Sequence, residues 1–89
     1  MKILCTPLYQ SQLKELLTKF SHEDFSATKA FKSYLDTIIL NMPTKAKKYK
    51  KSIYFDDDNI KDIVHEDFII PFYIDKTNDS YLILGIVKK

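Results

Sequence analysis

Residues 60–89 read IKDIVHEDFIIPFYIDKTNDSYLILGIVKK, and this stretch decides the fold. Three apolar runs, 60–64, 68–75 and 80–87, are separated by two polar connections, His65-Glu66-Asp67 and Lys76-Thr77-Asn78-Asp79. Short runs rich in Ile, Val, Phe and Tyr, bounded by polar turn residues, read as β-strands. Connections this short join antiparallel neighbours, because a parallel crossover needs a dozen residues or more. Pro71 interrupts the middle run. It has no N–H to give a ladder, so an edge or a bulge is expected there.

Working outward, residues 52–55 read as a further short strand and Asp56-Asp57-Asp58-Asn59 as a turn. Before them the period is helical. Ala27, Phe31, Tyr34, Leu35, Ile38 and Met42 mark one helix face, with Ser21 as its cap, Glu23 and Asp24 in its first turn, and Pro43 as its stop. Leu8, Tyr9, Leu13, Leu16, Leu17 and Phe20 mark an earlier helix over 8–20. Thr6 is a good N-cap for it, and Pro7 fits the first helical position. Residues 2–5 form a short apolar strand ahead of that cap. The order is β-α-α-β-β-β. The fold class expected is α+β, a helical hairpin packed on a small, mainly antiparallel curved sheet.

The length of 89 residues supports one domain over 1–89. One Gly and three Pro argue against disorder and against a turn-rich sandwich. The lone Cys5 forms no internal disulfide and reads as a small buried hydrophobe. The first ten residues lack the apolar region of a signal peptide, and no stretch approaches the roughly 20 residues that span a bilayer. The cytoplasm is the expected location, with no membrane partner.

Charge is distributed unevenly. The formal net charge is +2, yet residues 43–53 hold Lys45, Lys47, Lys48, Lys50 and Lys51 with no acid. Residues 54–67 then hold six acids against Lys61 alone. The sequence contains no arginine. An all-lysine surface meets phosphate as point charges and lacks the two-pronged contact of a guanidinium. His22, His65 and Cys5 lack zinc-ligand spacing, and the 56–59 turn lacks the glycine and distal Glu of a calcium loop. Gly85 is the only glycine, so no phosphate-cradling glycine loop exists. No cofactor is expected. His65, in a tight turn beside two acids, reads as a surface residue. The lysines remain, and Lys61 and Lys88 are expected to converge with the loop lysines on one groove that neutralises a nucleic-acid backbone.

The apolar strand entering a helix at Thr6-Pro7 and the closing segment from Ile60 to Lys89 resemble the RelE/ParE toxin superfamily over nearly the whole chain. The resemblance implies a toxin of a type II toxin–antitoxin module, silenced by a cognate antitoxin that wraps around it. In the RelE-like branch the partner is the ribosome with its mRNA, which is cleaved through attack of a ribose 2′-OH on the next phosphate. In the ParE-like branch the target is DNA gyrase. RelE-like mRNA cleavage is the first expectation; gyrase inhibition and a non-catalytic antitoxin-binding module are the alternatives. Carried over position by position, the resemblance implies Lys51, Lys61 and Lys88 as catalytic. It also implies Lys47, Lys48, Lys50 and Lys89 as nucleic-acid contacts; the charge block adds Lys45, and Tyr73 is expected to stack or orient. The family usually has Arg where Lys61 stands, and often basic residues where Ile69 and Tyr73 stand.

Overall fold

The computed structural model describes residues 2–89. Strand β1 (Lys2–Cys5) leads into helices α1 (Pro7–Glu23) and α2 (Phe25–Lys45) and a 3₁₀ turn, Ala46–Lys48. Strands β2 (Ile60–His65), β3 (Phe68–Asp75), β4 (Ser80–Ile83) and β5 (Val87–Lys88) follow. The sheet order is β1-β4-β3-β2, with β5 continuing along β3 beyond β4. β1 lies parallel to β4 and every other pairing is antiparallel. The expected α+β architecture, helical hairpin on a mainly antiparallel sheet, is the one found.

One sheet face carries the helices. Ile63, Ile70, Phe72, Ile83 and Tyr81 pair across strands on that face and bury against Leu35, Met42, Phe31 and Ala46 of the helical layer. Phe20, Phe31 and Phe68 meet edge to face at centroid distances of 5.6–5.9 Å and pin the far end of the hairpin to the β2–β3 turn. Among the described residues no helix packs on the other face. Its cross-strand rows are Leu4, Leu82, Tyr73 and Ile60, then Val87, Ile69 and Val64.

Several local expectations are corrected. The two helices meet at Asp24, not Ser21. The Ser21 hydroxyl donates to the Thr18 carbonyl and stays inside α1, while the Asp24 carboxylate accepts from Ala27 N–H at 3.0 Å and caps α2. Pro43 lies within α2, which runs on to Lys45. The hydrogen bond it removes and the clash of its ring both fall near the end of the helix, where the buried Met42 and Ala46 on either side keep the last turn packed. Residues 52–55 form no strand; the only pairing there is a single bridge of Lys51 to Lys61. Cys5 is exposed, because β1 is an edge strand. His65 ends β2 half-buried, its ring 5.1 Å from that of Phe31.

The closing run is broken at 84–86, where Phe72–Ile83 pairing gives way to Ile69–Val87 pairing with one extra residue on the later strand. This is a β-bulge opposite Pro71. Leu84 N–H reaches the Pro71 carbonyl at 2.9 Å, but Pro71 has no N–H to return. The Leu84 carbonyl accepts from the Thr6 hydroxyl at 2.8 Å instead. Ile86 N–H donates to Gln12 Oε1 at 3.0 Å. Thus the cap and second turn of α1 satisfy the groups that the proline and the bulge leave unpaired, and Lys88 lands opposite Phe68 on the helix-bearing face.

Candidate nucleic-acid interface

The lysine block is not a free loop. Lys45 ends α2, Lys47 and Lys48 sit in the 3₁₀ turn, and Tyr49 then packs edge to face on the buried Phe72 at 5.6 Å. From there residues 50–52 run along the outer edge of β2. Ser52 N–H donates to the Ile60 carbonyl at 2.8 Å and Asp62 N–H to the Lys50 carbonyl at 3.1 Å. These two bonds flank Lys51 and Lys61, so the lysines face each other as a narrow, non-hydrogen-bonded pair. Their Cβ atoms in such a pair lie roughly 5 Å apart on the same side. Lys47 and Lys61 line a cavity of about 460 Å³ together with Ala46, Asp58, Asp75 and Tyr81.

The 53–59 loop folds back over this edge. Ile53 N–H donates to Oδ2 of the buried Asp62 at 3.0 Å, and Tyr54 N–H to Ser52 Oγ at 3.1 Å. Asp56 Oδ1 lies 3.0 Å and Asp58 Oδ1 3.5 Å from Lys51 Nζ. The hydrogen bond and charge of Asp56 hold the Lys51 ammonium above its ordinary pKa, and Lys51 in turn holds Asp56 below the usual carboxylate range. Lys51 is therefore a fixed positive charge and not a base that works near neutrality. Lys47, Lys61 and Lys88 make no ion pair among the described residues.

Lys88 sits elsewhere. It is opposite Phe68, while Lys61 is opposite Phe72, which separates them by roughly 13 Å along β3. Lys88 lines a groove of about 910 Å³ beside α1 with Lys14, Lys19 and Asp67, and also a smaller, mostly apolar cavity with Leu8, Phe55 and Pro71. The expected single groove holding Lys61 and Lys88 is thus two separate places, because β3 holds their partners four residues apart. Tyr73 pairs with Ile60 and Leu82 on the helix-free face, away from Lys61. Lys45, Lys48 and Lys50 are exposed at the block, and the exposed Lys89 is tied through its N–H to the Asp67 carbonyl at 2.8 Å.

Two features escaped the sequence reading. Lys14 and Lys19 belong to the groove of Lys88; the polar stripe Ser11, Lys14, Glu15 and Thr18 at helical spacing was the available signal. Asp58 stands among the lysines, and nothing in the order of residues marks it, since the contact is made by the loop's fold. Among the described residues no group of three or more His, Cys, Asp or Glu side chains is placed to hold a metal ion. No helix among them is long and apolar enough to cross a membrane.

No protein-family model matches the sequence, and no curated protein is significantly similar to it in sequence. A solved structure does match: "Chromosomal ParDE TA system from P. aeruginosa", with a TM-score of 0.75 and 15% sequence identity, covering 99% of this chain and 95% of that one. This likeness establishes that the two chains share a fold from end to end, the RelE/ParE-like fold of the sequence resemblance.

Proposed function

We propose that this chain is the toxin of a type II toxin–antitoxin pair, held inactive by a cognate antitoxin, and that it acts as a ParE-like inhibitor of DNA gyrase. The observation that carries the choice of target is the separation of Lys61 from Lys88 by four residues of β3, with Lys51 held as an ammonium by two aspartates. Phosphodiester cleavage through a 2′-OH needs a base, an acid and positive charge around one phosphate. Inhibition by binding needs a charged and an apolar surface, and no convergent catalytic set. The end-to-end likeness to a chain of a ParDE system supports the same reading. The lysine edge of 47–51 and Lys61 is the surface that meets the nucleic acid of the target, through phosphate neutralisation. An amphipathic antitoxin segment fits the grooves beside α1, where apolar and lysine-bearing walls adjoin.

Induced expression is expected to arrest growth, and the purified chain to block gyrase supercoiling and trap cleaved DNA. Normal supercoiling at stoichiometric excess would remove the gyrase target. The second reading, ribosome-dependent mRNA cleavage, draws on the Lys51–Lys61 pair and the neighbouring Lys47. Mapped mRNA cuts that appear only with ribosomes present would establish it in place of the first.

A further inference from the structure

Asp58 stands between two sets of lysines. Its Oδ1 is 3.5 Å from Lys51 Nζ, and the same residue lines the cavity shared by Lys47 and Lys61. Asp56 reaches Lys51 at 3.0 Å from the same loop. Asp57 instead sets the turn, since its carboxylate accepts from Asn59 N–H at 2.8 Å and its carbonyl from Ile60 N–H at 3.0 Å. One aspartate shapes the loop while its two neighbours contact the lysine. The cations they meet are awkward on their own, because two like charges directly opposite in a narrow pair repel. An anion beside the pair relieves this, and a phosphodiester offers the same charge and the same kind of acceptor oxygens as a carboxylate.

We infer that the 56–58 loop is a built-in competitor for nucleic acid: in the free protein Asp56 and Asp58 occupy the place beside Lys51 and Lys61 that a phosphodiester takes when the target binds. The inference rests on the reading of this edge as the surface that faces nucleic acid. Both aspartates are exposed and neither side chain bonds to backbone, so release breaks only the two contacts to Lys51. The loop raises the threshold for polyanions and leaves a matched target, which brings many phosphates at once, able to displace it.

The test is binding of a short single-stranded RNA and of a short DNA duplex, each by fluorescence anisotropy at low ionic strength. Asp56→Asn with Asp58→Asn is expected to tighten both by roughly three- to ten-fold, the range two exposed ion pairs can supply. Adding Lys51→Ala to that double variant is expected to erase the gain. Glu23→Gln with Glu66→Gln, two exposed sites away from Lys51 and Lys61, changes net charge equally and is expected to give a much smaller effect. An equal gain from that control, a gain that survives Lys51→Ala, or absence of binding by wild type and double variant alike overturns the inference. Growth arrest is scored separately. Tighter binding without arrest removes the toxin reading and keeps the competitor; arrest without tighter binding does the reverse.

Discussion

Pro71 and Leu84 stand opposite each other where the sheet changes register, and the hydrogen that Pro71 lacks is supplied to the Leu84 carbonyl by the Thr6 hydroxyl at 2.8 Å. Thr6 also caps α1 by accepting from Tyr9 N–H at 3.0 Å. One side chain thus joins the start of the first helix to the break in the last strand, 78 residues later in the chain.

This relationship predicts a coupled pair of substitutions. Thr6→Ala is expected to cost about 1–2 kcal/mol, through the lost cap and the carbonyl left without its donor. With Pro71→Ala in place the backbone can again donate to Leu84, and the cost of Thr6→Ala is expected to fall by about 0.5–1 kcal/mol. Urea unfolding of the four proteins of the cycle measures it; strict additivity would show that Thr6 and Pro71 are independent.

Gly85 is required for space and not for backbone conformation, since it has no positive φ. A Cβ there meets Gln12 Oε1 at 2.8 Å, the atom that accepts from the N–H of buried Ile86. Gly85→Ala is therefore expected to cost about 1 kcal/mol by displacing that amide. In a Gln12→Ala background, itself destabilised by about 1–3 kcal/mol, the same change is expected to be neutral or slightly stabilising. Thermal melts of both pairs decide it. A cost unchanged by Gln12→Ala would place the clash elsewhere.

Tyr9 is buried beneath the sheet, and burial, with the neighbouring Cys5 and Asp36, pushes its phenol well above the ordinary value of 10.0. Folding favours the neutral phenol, whereas the unfolded chain ionises from about pH 10 upward. The stabilisation is complete below pH 10 and is lost as pH rises above it. Tyr9→Phe is expected to flatten the alkaline limb of the stability curve without abolishing it, because burial also raises Tyr49. Chemical denaturation from pH 8 to 11 checks this, and an unchanged limb would refute it.

The separation of Lys61 from Lys88 predicts that their effects on nucleic-acid affinity add. Lys61→Ala is expected to lower the slope of log affinity against log salt by roughly one and Lys88→Ala, in the groove beside α1, to change it little, with no coupling between them. Lys51→Ala and Lys61→Ala, neighbours across one narrow pair, are expected to couple. Titrations at several salt concentrations compare the two cycles. Coupling between Lys61 and Lys88 would return the two lysines to a common site.

What the sequence determined by itself was the set of elements and most of their partners. The helical stripes, the Thr6-Pro7 start and the short polar connections at 65–67 and 76–79 are local signals, each set by neighbouring residues, and they led to a hairpin of helices on an antiparallel sheet. Pro71 even marked where the ladder would fail. Tertiary structure decided what depends on residues far apart in the chain. The bulge at 84–86, held by Thr6 and Gln12, set the face on which Lys88 falls, since one inserted residue reverses side-chain alternation. The lysines were legible as a run of charge, yet their meeting points were not. Register along β3 parted Lys61 from Lys88, and the fold of the 56–58 loop brought two carboxylates to Lys51, because long-range pairing and not composition fixes which charges share a surface.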